Sequence, residues 1–151
     1  MTRTLDEPEL FGELFVLVQH LTRRADESLA AFGLTSRQWL LLAVLSRFPG
    51  TSPTLTDAAR VYGTSRQNVK HVALQLAARG YLGLEPDPAD RRATRLVLTD
   101  KVAVFDEPDV AAAQSAVIVE VFSSLRDDEV ATLRSLLGRC LTSLQDDKEA
   151  R

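Results

Sequence analysis

Apolar residues recur at three- and four-residue steps between positions 9 and 31: Leu10, Phe11, Leu14, Phe15, Leu17, Val18, Leu21, Ala25 and Leu29. That spacing predicts a helix with a wide apolar face, and Gly33 is a suitable stop. Thr35-Ser36-Arg37-Gln38 then has the form of a capping box, with Thr35 accepting from the Gln38 N–H and the Gln38 side chain reaching back. The segment it opens is apolar nearly all round, which predicts a buried helix ended by Pro49-Gly50. Thr54-Leu55-Thr56-Asp57 marks a further start, with Asp57 favoured in the first turn by the helix dipole. Gly63 ends that helix early. The tetrapeptide TSRQ now occurs a second time, as Thr64-Ser65-Arg66-Gln67, and predicts a helix opened by Thr64 and closed by Gly80. A short helix, a glycine turn and a second helix make a helix-turn-helix.

Beyond Gly80 the pattern changes period. Leu82 to Glu85 and Thr94 to Thr99 flank the turn-forming stretch PDPADRRA, and Leu96 and Leu98 alternate with Arg95, Val97 and Thr99. Two half-buried strands around a tight turn predict a hairpin. Helical spacing returns from about Asp109 to Leu125 and from about Asp127 to Gln145, the last with Val130, Leu133, Leu137, Cys140, Leu141 and Leu144 on one side. The expected order is three helices, a recognition helix, a hairpin and two helices.

Charge changes what this outline means. The 151-residue chain carries a net charge of −3, which by itself argues against a nucleic-acid partner. Residues 35–99, however, hold nine Lys and Arg against four Asp and Glu, and the excess acid lies at the two ends. A basic middle bears on partners rather than on fold. The longest apolar run, Trp39 to Leu45, is seven residues, and the acidic N-terminus does not read as a signal sequence. A cytoplasmic chain with no membrane partner is expected. Cys140 is the one cysteine, which fits a reducing compartment.

The second TSRQ helix presents chemistry suited to DNA. Val69, Val72, Ala73 and Leu76 form its inward stripe, whereas Ser65, Arg66, Gln67, Asn68, Lys70, His71 and Gln75 are polar. Arg suits guanine, Asn and Gln suit adenine, and all can donate to phosphate. A solvated helix face is the simpler alternative. Against it, no acidic residue occurs between Asp57 and Glu85, so the usual Glu/Lys mixture of a solvated face is missing. Arg91, Arg92 and Arg95 cluster at the hairpin turn and just past it, where an arginine can enter a minor groove. Asp90, a short acceptor, suits backbone N–H groups or an arginine nearby. The first TSRQ has only to cap and start a scaffold helix.

DPADRRATRLVLT, residues 87–99, resembles the wing signature of the MarR family of bacterial transcription regulators, in which Asp-x-Arg is followed by Leu-Thr; Asp90, Arg92, Leu98 and Thr99 fill those places. SRQNVKHVALQLAARGYL, LTSRQWLLLAVL and LRDDEVATLRSLL resemble that family's recognition helix, second helix and last helix. The resemblance implies a mainly α (α+β) fold, a winged helix-turn-helix with N- and C-terminal dimerisation helices. It divides the chain into an N-terminal dimerisation helix (1–34), a DNA-binding domain (35–100) and C-terminal dimerisation helices (101–151). It implies a homodimer on a palindromic double-stranded DNA operator, contacted by Ser65, Arg66, Gln67, Asn68, Lys70, His71, Arg91 and Arg92, with Asp90 bracing the wing. It also implies a repressor released by a small aromatic effector bound between the dimer helices and the winged helix. The departure is DKVAVFDEP after Thr99, where the family continues in an unbroken helix; Pro108 cannot sit mid-helix, so a kinked or unwound connection is expected. The competing reading is a winged-helix module for protein contact or effector sensing that has lost DNA binding.

Other candidates carry less. Cys140 lies on an apolar stripe and is expected to act as a small hydrophobe rather than a redox sensor. His20 and His71 have no ligand set at metal spacing, and no serine sits in a nucleophile elbow; neither cofactor nor catalysis is expected. Trp39, Phe15 and Phe105 are candidates to line an effector pocket, with core or interface packing as the simpler role.

Overall fold

The computed structural model describes residues 3–149, and the side chains of residues 6–145. Helix α1 (Arg3–Leu29) is followed by a 3-10 turn (Ala30–Phe32), α2 (Ser36–Ser46), α3 (Leu55–Tyr62) and α4 (Arg66–Ala78). Strands β1 (Leu82–Pro86) and β2 (Thr94–Leu98) form the hairpin, and a 3-10 segment (Asp100–Asp106) leads to α5 (Pro108–Phe122) and α6 (Asp127–Glu149). The predicted order of elements is present. The outermost residues of the two predicted arms, 1–2 and 150–151, lie outside the described residues.

The punctuation is local chemistry. Gly33 takes a left-handed φ of 64°, and an added Cβ there would collide with the Arg79 guanidinium. Thr35 caps α2 in the predicted box: the Gln38 N–H donates to Thr35 Oγ1 at 3.3 Å, and the Thr35 N–H donates to Gln38 Oε1 at 3.1 Å. Asp26 of α1 adds a second cap, accepting from the Ser36 N–H at 2.6 Å. The same box recurs at Thr54 and Asp57.

The second TSRQ differs from expectation by one residue. Ser65, not Thr64, is the N-cap of α4, and it accepts from the Asn68 N–H at 3.2 Å. The cause lies upstream. Gly63, with φ 79°, and Thr64 both donate their N–H groups to Ala59 O, closing α3. Thr64 is thereby held as the last residue of the turn and cannot begin the next helix. Pro108 resolves the predicted break in a related way. It occupies the first turn of α5, where its missing N–H costs nothing, and the 3-10 segment before it replaces an unbroken helix.

One core organises the chain. Leu41, Leu45, Leu55, Ala58, Val69, Ala73, Leu76, Leu82 and Leu96 are buried together, with Leu29 and Leu34 joining them from the end of α1 and the turn after it. The hairpin pairs antiparallel with Leu82 opposite Leu98 and Leu84 opposite Leu96. A two-stranded hairpin is marginal alone; this one is held because Leu82 and Leu96 point into the core and the Leu96 N–H donates to Pro53 O at 2.9 Å. The terminal helices add little to that core. Phe11, Phe15, Leu141 and Leu144 are 64%, 62%, 58% and 68% exposed. Cys140, expected to be buried, is exposed, because its stripe faces away from the rest of its own chain. Among the described residues no single helix is long and apolar enough to cross a membrane.

Candidate nucleic-acid interface

Helix α4 packs through Val69, Val72, Ala73 and Leu76, so geometry turns the intervening residues outward. Ser65, Arg66, Gln67, Asn68, Lys70 and His71 are all exposed. The Asn68 amide donates to Thr64 Oγ1 at 3.0 Å, which steadies the side chain against the turn. The α3–α4 turn and the wing lie on the same side of the domain. Arg66 at the tip of α4, Arg92 and Asp90 of the wing, and Thr54, Leu55 and Thr56 at the start of α3 line one cleft of about 190 Å³. Two arginines and a helix N-terminus on one cleft favour an anion.

The wing is built differently from its sequence outline. Asp90 accepts from the Arg92 N–H at 3.0 Å, a bond local to the turn. Asp87, to which the sequence pattern assigns no role, is buried. Its carboxylate accepts from the Ala89 N–H at 2.7 Å and pairs with the Arg95 guanidinium at 2.7 Å. The Ala89 N–H, and with it Arg95, holds the Asp87 carboxyl below its ordinary range against the opposing effect of burial. Arg95 also donates to Ser52 O. It is therefore a strut between wing and scaffold rather than a third arginine for DNA. Arg91 and Arg92 remain exposed. Sequence held one signal for this split: Arg95 lies in the alternating strand and Arg91 and Arg92 in the turn.

The first TSRQ copy reaches across the fold to the recognition helix. Gln38, expected only to cap α2, is buried and donates from Nε2 to Gln75 Oε1 of α4 at 3.1 Å. Gln75 Nε2 lies 3.2 Å from His71 Nε2. The scaffold helix is thus hydrogen-bonded to the recognition helix.

The three aromatic residues considered for an effector pocket are not brought together. A cavity of about 510 Å³ lies between α1, α2 and α5 and includes Trp39, with Leu21, Ala25, Val117, Ile118 and Phe122 around it. Phe15 is not in its lining and packs edge-to-face on Phe11, with ring centroids 5.0 Å apart. Phe105 stacks on Tyr81 instead, at 6.1 Å and 27°. The lining is mostly apolar; Thr22, Ser28, Ser36, Arg37 and Gln114 are its polar residues, and the buried Gln114 Nε2 has no hydrogen-bond partner among the described residues. Arg24 and Glu120 tie α1 to α5 at 2.8 Å.

A family model described as MarR family matches residues 32–93. Over 91 residues the chain is 31% identical to the "Transcriptional activatory protein BadR" of Rhodopseudomonas palustris, covering 60% of this chain and 52% of that protein. An uncharacterized protein of Mycobacterium tuberculosis is 35% identical over 91 residues, covering 60% of this chain and 62% of its own length. The chain thus spans between half and two thirds of the curated relatives it matches. Among solved structures, AbsC, a MarR-family transcriptional regulator of Streptomyces coelicolor, superposes with a TM-score of 0.77 at 22% identity, covering 95% of this chain and 97% of AbsC. Sco3205 of the same organism, a MarR-family regulator solved in complex with DNA, gives 0.79 at 20% identity, over 93% and 92% of the two chains. At these identities the structures speak for the fold: mostly helical with a two-stranded wing. The winged helix-turn-helix segment, residues 32–93, matches the MarR family model, and the chain as a whole shares the fold of solved MarR-family regulators.

Proposed function

We propose that this protein is a dimeric DNA-binding transcription regulator, an effector-responsive repressor of a pseudo-palindromic operator. The observation that carries the reading is the shared cleft of Arg66 and Arg92, which makes recognition helix and wing one continuous surface. In this reading Ser65, Arg66, Gln67, Asn68, Lys70 and His71 enter a major groove, and Arg91 and Arg92 reach the neighbouring backbone and minor groove. Asp90 and Asp87 hold the wing in shape. The chain divides functionally at 1–34, 35–100 and 101–151, the outer parts joining two copies so that half-sites stand roughly 10 bp apart. The solved relative Sco3205 is described as bound to DNA, which supports the reading by analogy.

Footprinting of sequences selected in vitro tests it. Arg92→Ala is expected to lose flanking protection and affinity, and Gln67→Ala and Asn68→Ala to relax base preference by about 1–3 kcal/mol per bidentate contact. Affinity should fall steeply with salt as counterions are released. Unchanged protection in Arg92→Ala removes the wing from the mechanism, and failure to select any sequence favours the protein-contact reading. The effector would occupy the apolar cavity, with Arg37 suited to an acidic group. Trp39 is the only tryptophan, so its fluorescence should respond to aromatic acids that also release DNA. BadR is named an activator; run-off transcription, expected here to decrease, decides the direction of control.

A further inference from the structure

We propose that Gln38 and Gln75 are positioning residues that set the tautomer of His71, and through it the kind of base edge α4 accepts. The inference rests on the DNA-binding reading for its consequence but not for its chemistry. It follows from donor and acceptor polarity alone. The Thr35 N–H can only donate, so the Gln38 atom 3.1 Å from it is the amide oxygen. The other end of that amide, Nε2, can only donate, so the Gln75 atom facing it at 3.1 Å is Oε1. Gln75 Nε2 is then the atom 3.2 Å from His71 Nε2, and it too can only donate. His71 Nε2 must accept. The proton of the neutral ring is on Nδ1, the form that free histidine in water disfavours.

The chain of bonds is anchored in the fold at one end and open at the other. Gln38 is 8% exposed and pinned by the capping box of α2, whereas Gln75 and His71 are exposed. Among the described residues no protein group is bonded to His71 Nδ1. His71 lies one turn beyond Gln67 on the helix face opposite the buried stripe. An outward Nδ1–H is a donor. It complements guanine N7 and O6, adenine N7, thymine O4 or a phosphate oxygen, and of the four bases it is opposed outright by cytosine, whose major-groove edge presents an amino donor alone. A buried glutamine on the scaffold thereby biases what an exposed histidine can read.

The ring can be observed without DNA. Long-range 1H–15N correlation spectra of the full chain, at about pH 9, well above the ordinary imidazole value near 6.5, should show a pyrrole-type Nδ1 and a pyridine-type Nε2 for His71. A His71→Gln variant separates its signals from those of His20. Gln38→Glu keeps an acceptor for the Thr35 N–H but turns its other oxygen toward Gln75, so the Gln75 amide should rotate and the His71 pattern should invert. Gln75→Glu, at an exposed position, should invert it as well and decides the point if Gln38→Glu does not fold. An Nε2–H pattern in the unmodified chain, or an unchanged pattern in the folded variants, overturns the assignment. Selection from random DNA should then shift one position per half-site from guanine or thymine toward cytosine in Gln38→Glu, by roughly fivefold, the worth of one net hydrogen bond. The same base at every position despite an inverted ring removes His71 as a reader, whereas no selected sequence at all removes DNA binding and leaves the spectra to judge the tautomer.

Discussion

Asp87 and Arg95 show how a single buried ion pair can govern an exposed element. Arg95 is half-buried and Asp87 buried, so removing either partner leaves the other charge only partly compensated by water. Asp87→Asn should loosen the wing, seen as faster amide exchange at Ala93 and Leu96, while the α4 amides keep their protection. Exchange unchanged at both residues would mean that the hairpin ladder suffices without the pair. The pH dependence has a definite sign. A carboxyl whose folded pKa is depressed contributes stability above its unfolded value, about 3.9 for Asp, and loses it only as pH falls through the lower folded value. Wing protection in the unmodified protein should therefore persist down to about pH 4 and decline below it, and Asp87→Asn should lack that decline.

At the scale of elements, the two TSRQ copies show that a capping signal is read in context. In the first copy Thr35 is free of the preceding helix and forms the box with Gln38. In the second, Thr64 is consumed by the closure of α3, and the cap moves to Ser65. Ser65→Ala and Thr35→Ala should each cost about 1 kcal/mol in chemical denaturation. Thr64→Val should stay within about 0.5 kcal/mol. Equal losses at Thr64 and Ser65 would contradict the shifted cap. Gly33 is the other position where an element depends on one residue: with φ 64° and Arg79 packed against it, Gly33→Ala should destabilise by about 1–2 kcal/mol.

Among the described residues one buried core leaves apolar surface on three helices unused. The buried cluster draws on residues 29–96, while Leu10, Phe11 and Phe15 of α1, Ile118 and Val119 of α5, and Leu137, Leu141 and Leu144 of α6 remain open. Apolar surface this extensive marks an association site. Sedimentation should give a dimer at micromolar concentration, and Leu141→Glu should weaken association by at least about tenfold, the effect of 1.4 kcal/mol. Because Leu141 lies outside the core cluster, the melting of the winged helix should change little in a monomeric variant. A monomer in the unmodified protein at that concentration would refute the dimer.

Periodicity, glycines and caps were enough to read the order of elements, the helix-turn-helix, the wing and the break at Pro108, because each depends on residues a few positions apart. The polar tip of α4 was legible for the same reason: its inward stripe assigns the other positions to the outside. What depended on distant partners was not legible. Arg95 reads as a third wing arginine until Asp87 and Ser52 O are seen to hold it inward. Phe105 reads as a pocket residue until Tyr81 lies beneath it. Thr64 reads as a cap until Ala59 O takes its N–H. The two glutamines belong to the same class: 37 residues apart in the chain, they meet only because α2 packs on α4. Sequence alone determines which side chains are available and which way each helix turns them. Tertiary packing decides which of those donors and charges are already satisfied within the chain and which are left for a partner.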